Sequence, residues 1–165
     1  MGNSFSSDIS QLMDPDTGMT MAEKMSVRST WLRFRSRREN GIDFFLELFA
    51  LYPVTLQLFP FANDPVDTLA RNPKLVAHSV AVVGQVTAMV DALDNADLLR
   101  QLIKKNARMH RYRRGVLPEH FAILVKVMKT VMCRHVDGFT KPNSANGWEK
   151  FFRLLIDITE DVYDN

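Results

Sequence analysis

Two histidines, His78 and His110, stand on the apolar stripes of two neighbouring predicted helices. The first stripe runs Leu75, His78, Val82, Val86, Met89, Leu93; the second runs Leu99, Leu102, Ile103, Asn106, His110. Three-and-four spacing puts each set on one helix face. A single core histidine is most often a hydrogen-bonded packing residue. Two of them on facing helices can address one metal from opposite sides. Imidazole is a favoured iron ligand, and the apolar residues beside both rings suit a flat, greasy cofactor such as haem.

Those helices belong to a chain that reads as helical almost throughout. Residues 1 to about 20 form a polar tail with no sustained periodicity. A first helix covers about 21–38, with Met25, Trp31 and Phe34 as expected core contacts. A second covers about 39–52 and carries Ile42, Phe45 and Phe49. Pro53 suits the first turn of a short helix ending near Phe59, and Pro60 to Asn72 is turn-rich. Asn72-Pro73 is a cap followed by a first-turn proline, opening the His78 helix at about 73–94. The His110 helix covers about 97–112 and ends before Gly115. Pro118 begins another long helix, with Phe121, Leu124, Met128 and Met132 on one face. Ser144 is the expected cap of a last helix at about 145–163. No strand signal outlasts short valine-rich runs such as Val80–Val83.

Bulk properties narrow the class further. With 165 residues, 46% of them hydrophobic, the chain is sized for one domain with a real core. The expected division is a tail over 1–20 and a helical domain over 21–165. A net charge of +2 gives no global bias toward nucleic acid. The lone Cys133, within Val131-Met132-Cys133, predicts a buried thiol and an intracellular chain. No apolar stretch is expected to approach the roughly 18 residues of a membrane span, and the polar N-terminus lacks a secretory signal.

At this point the sequence resembles the globin family across about residues 22–164. Gly41 to Phe49 looks like the globin B helix. Tyr52-Pro53-Val54-Thr55-Leu56-Gln57-Leu58-Phe59 is similar to the C region, a proline followed six residues later by the phenylalanine that stacks on haem in the family. His78 and Val82 look like the distal histidine and its valine neighbour. His110, Val116, Pro118 and Phe121 look like the proximal histidine and the start of helix G. Trp31 and Trp148 stand where helices A and H often carry tryptophan. The order and spacing together are specific, where each piece alone is weak.

The resemblance implies an all-α globin fold of about eight helices, three over three, around haem b. It implies His110 as the proximal iron ligand and His78 as the distal residue or sixth ligand. Phe45, Phe59, Val82 and Leu102 would wall the cofactor, with Phe61 shielding an edge, and Val116 and Phe121 would complete the proximal side. The main-chain carbonyl of Asn106, one turn before His110, is the natural acceptor for the ring N–H that fixes its orientation. Two departures stand out. Asn106 occupies a place where globins usually have leucine, and Phe45 one where many invertebrate globins have tyrosine. His78 is then the one clear distal hydrogen-bond donor.

Two further features bear on partners. Lys104, Lys105, Arg108, Arg111, Arg113 and Arg114 crowd eleven residues that contain no acid. Such a run is commonly a solvated face; it also suits haem propionates, Arg108 among the candidates, and an acidic redox partner protein. Met1-Gly2-Asn3-Ser4-Phe5-Ser6 matches the N-myristoylation pattern, with Gly2 as acceptor. One acyl chain beside an acidic tail predicts weak, reversible membrane contact by a cytoplasmic protein. The sequence therefore supports a redox or electron-transfer globin with both histidines available to iron and no dedicated substrate pocket. The alternative is a dioxygen-binding globin for storage, transport or sensing. A haemless interaction module would leave the two histidines unexplained.

Overall fold

Capping chemistry and proline placement set the helix boundaries. The computed structural model describes residues 11–165; Gly2 and the acylation motif around it lie outside the described residues. Thr20 opens helix α1 (Met21–Arg35). Its hydroxyl accepts from the Glu23 N–H while the Glu23 carboxylate accepts from the Thr20 N–H, satisfying two end donors reciprocally. Helix α2 spans Arg38–Leu51. Short 3-10 turns follow at Pro53–Leu58 and Val66–Arg71. Asn72 accepts from the Lys74 N–H and caps helix α3 (Pro73–Asp91), with Pro73 in its first turn. A 3-10 turn, Ala92–Asp94, leads to helix α4 (Ala96–Arg111), capped by Asn95 through the Leu98 N–H. Gly115, at φ 84°, reverses the chain in the left-handed region that favours glycine. Helix α5 (Pro118–His135) and helix α6 (Pro142–Asp164) complete the chain.

The helices form two layers. In one, α3 touches both α1 and α4; in the other, α5 touches both α2 and α6. Across the layers α1 and α4 pack on α6, and α2 packs on α3. The fold is thus all-α, three helices over three. Among the described residues there is no strand, only an isolated bridge between Met13 and Thr20.

Two close approaches fix this arrangement. A Cβ on Gly41 would sit 2.5 Å from Ser79 Oγ, so only glycine lets α2 come this near α3. Ser79 follows His78, and the approach therefore sets where His78 stands. A Cβ on Gly147 would sit 2.8 Å from Val27 Cγ2, which does the same for α6 against α1. Between them lies an aromatic core. Trp31 and Trp148 are buried with centroids 5.9 Å apart, and each indole N–H reaches a threonine hydroxyl, Thr87 and Thr30 respectively, at 2.9 Å.

Several sequence expectations need correction. Met25 is exposed, because α1 turns Lys24, Val27, Trp31 and Phe34 inward instead. Cys133 is exposed as well: Val131 and Met132 fill the core and the next residue swings a further 100° outward. Ser144 is not a cap; α6 starts earlier, at Pro142, and leaves the buried Ser144 hydroxyl without a partner among the described residues. Met19, inside the segment read as tail, is fully buried. Asp14 pairs with the buried Lys24, whose ammonium holds the Asp14 carboxyl down at about 2. The segment Pro73–Asp94 is after all long and apolar enough, by length and composition, to cross a membrane. Its apolar residues have another use, since Val82 and Val86 line the central cavity.

Candidate functional site

Helices α3 and α4 bring His78 and His110 to one cavity of about 270 Å³. Its walls are mainly apolar, built from Phe45, Phe59, Val82, Val116, Phe121 and their neighbours on α5 and α6. On the α4 side, the His110 ring is held firmly. Its Nδ1 lies 2.9 Å from the Asn106 carbonyl, one turn earlier, which makes Nδ1–H the donor and leaves Nε2 as the free nitrogen. Phe121 meets the ring edge-on with centroids 5.4 Å apart.

On the α3 side, the His78 ring touches Phe45 and Phe59 edge-on at 5.1 and 5.3 Å. Among the described residues no hydrogen bond engages it. Burial, then the positive charges of Arg113 and a protonated His110, push the His78 pKa down to about 4. Burial also lowers His110; the Asn106 carbonyl opposes that shift and Arg113 adds to it. Both imidazoles are therefore neutral near pH 7, the form that binds metal.

Among the described residues no three of His, Cys, Asp or Glu converge to hold a bare ion. Two neutral imidazoles in a mainly apolar cavity suit a metal whose other ligands come from an organic ring. An iron porphyrin fits this donor set, with Arg113 the cationic side chain at the cavity for its carboxylates.

The predicted wall is partly redrawn. Phe45, Phe59, Val82, Asn106, Val116 and Phe121 line the cavity as expected. Leu102 does not: it packs against the hydrophobic core. Arg108 does not line the cavity either, but a separate cleft beside α6. Arg113 is the arginine that lines the cavity. Arg108 is two residues before His110, on the far side of α4, whereas Arg113 stands in the turn after the helix, which folds back so that its N–H donates to the His110 carbonyl at 2.9 Å. Phe61 is buried behind Phe59, rings stacked at 5.3 Å, and backs that wall instead of shielding an edge. His120 is a residue the sequence reading left outside the site. Its Nδ1 caps the start of α5 by accepting from the Leu117 N–H at 2.9 Å, and its ring also lines the cavity.

Comparison with known proteins places this geometry. A family model described as Globin matches residues 42–158. Hemoglobin-3 of Phacoides pectinatus is 29% identical over 152 residues, covering 88% of this chain and 95% of that protein. Hemoglobin-2 of the same organism is 32% identical over 146 residues, covering 84% and 91%. Among solved structures, a hexacoordinated heme protein from an anhydrobiotic tardigrade superposes with a TM-score of 0.82 at 22% identity, covering 92% of this chain and 99% of that one.

Proposed function

The chain belongs to the globin family and binds haem b, and from that premise we propose that it is a redox globin whose two histidines both ligate the iron at rest. Globins bind small gaseous ligands such as dioxygen, and that capacity comes with the family. The finer reading rests on one observation: a neutral His78 ring with no hydrogen-bond partner among the described residues, lining the same cavity as His110. The hexacoordinate state named for the tardigrade protein is in keeping with it.

Haem, when bound, supplies a one-electron iron couple and a site for a diatomic ligand. The chain's own residues supply the rest. His110 presents Nε2 while the Asn106 carbonyl holds its ring in one orientation. His78, carrying no charge near pH 7, would hold the iron as a second imidazole or, swung aside, would donate to a bound gas. Phe45 and Phe59 crowd it and keep water from that side. Phe45 brings no hydroxyl to this side of the cavity. With Arg113 taken by the haem carboxylates, the other cations of the 104–114 run are left to suit an acidic redox partner.

Acylation at Gly2 is part of the same proposal. It would give a cytoplasmic protein weak, reversible contact with a membrane where a partner resides.

The visible absorption spectrum of the reduced, ligand-free protein tests the ligation. Split, sharp bands mean low-spin iron held by both histidines. One broad band means an open site and assigns the protein to reversible dioxygen binding.

A further inference from the structure

We propose that the cleft between the last turns of α4 and α6 is a binding site for a polyphosphate anion, separate from the central cavity and independent of how the iron is ligated. The basic run of residues 104–114 reads as one patch in sequence, but the end of α4 and the turn after it divide it. Arg113 lines the central cavity. Lys104, Arg108 and Arg111, spaced four and three apart, share another face and line a cleft of about 510 Å³ with Tyr112, Asp161, Val162 and Asn165.

Part of this charge has a structural use. Arg111 donates from Nη1 to the Val162 carbonyl at 2.6 Å and so caps the end of α6. Lys104 and Arg108 have no such use. Among the described residues neither forms an ion pair, and neither donates to a carbonyl. Three cations face a single carboxylate side chain, Asp161, across a concave surface. Unpaired like charges held this close repel one another, and a bound anion relieves that repulsion.

The spacing selects the kind of anion. From Lys104 to Arg111 the helix rises about 10 Å, which matches a chain of phosphates better than one tetrahedral ion. Guanidinium groups take phosphate oxygens in pairs, and Arg111 is already fixed in place by its carbonyl. The Tyr112 ring, 86% exposed, stands at the same cleft and offers a face on which a nucleobase can stack. Inorganic polyphosphate and nucleoside triphosphates share the recognised chemistry.

Titration calorimetry of the haem-loaded protein with tripolyphosphate and, separately, with ATP tests the site. The expected result is one site per chain for both anions, weakening as salt rises. The double variant Lys104→Ala/Arg108→Ala keeps the Arg111 cap and should bind at least about tenfold more weakly. Asp161→Asn removes the opposing charge and should tighten binding. Arg153→Ala deletes an exposed cation elsewhere on α6 and should change nothing. Tighter binding of ATP than of tripolyphosphate, abolished by Tyr112→Ala, assigns the nucleotide; equal binding assigns the bare phosphate chain. Helicity and haem content confirm that each variant is folded. Absence of binding by both anions overturns the proposal. So does undiminished binding by the folded double variant, or equal binding of a glutamate octapeptide, which would make the cleft a general acidic-partner surface.

Discussion

The two sides of the central cavity are built by different rules. On the α4 side one hydrogen bond of 2.9 Å from a main-chain carbonyl fixes His110, and Phe121 packs its edge. On the α3 side His78 is surrounded by aromatic edges and bonded to none of the described residues. One imidazole is oriented before any cofactor arrives; the other is confined yet free to turn. On the proposed reading the fixed imidazole anchors the haem, and the free one binds or releases iron at little cost to the fold.

His110→Ala attacks the fixed side and should have the largest effect. Removing only a ligand's hydrogen-bond partner typically costs about 10- to 100-fold in affinity, and deleting the ligand should cost more. Full haem occupancy with an unchanged spectrum in this variant would make the assignment of the fixed side wrong. His78→Leu attacks the free side. Haem should stay bound, while the reduced spectrum changes from split bands to one broad band and carbon monoxide binds faster, because an internal competitor is gone. If neither spectrum nor ligand kinetics moved, His78 would have no part in the cavity's chemistry.

Acid should act on both sides of the haem-free protein. Each folded-state histidine pKa lies below its unfolded value near 6.5. The unfolded chain therefore binds more protons between those values, and stability drops as pH is lowered through that range. Stability should be full above about pH 6.5 and decline toward about pH 4, the folded value for His78. Denaturant midpoints measured across this window check it, and a flat profile would contradict the burial of neutral imidazoles. Asn106→Leu should have a smaller effect. The acceptor for His110 is main chain, so haem retention and spectrum should persist; a shifted spectrum would mean that the amide side chain also orients the ring. Gly2→Ala should alter neither side. Haem content and melting temperature should match the parent while membrane association in cells drops to the cytosolic level. Equal membrane association of parent and variant would remove lipidation from the proposed function.

Much of this was legible in the residues. Asn72-Pro73, Pro118 and Gly115 carry their boundaries locally, since caps, fixed φ and left-handed turns are properties of one or two residues. His78 and His110 stood out because histidine on an apolar stripe is rare enough to notice. The carbonyl partner of His110 followed from helix geometry alone: residue 106 is one turn before 110 on any α-helix.

What escaped the sequence depended on neighbours. The stripe on α4 is wide, and its periodicity does not say which edge faces the cavity and which faces α6. The fold turned Leu99, Ile103 and Ala107 into the core and gave the cavity Asn106 and His110, with Leu102 on the core side. The same rotation sent Arg108 to the second cleft, and the turn after α4 brought Arg113 to the cavity. Met25 and Cys133 misled because an apolar residue in a helix is buried only if another element covers its side. Sequence by itself determined which residues form helices, where these stop, and which side chains can hold iron. Only tertiary packing, through approaches as close as Gly41 to Ser79, decided the rotation and height of each helix, and so which of those side chains share a cavity.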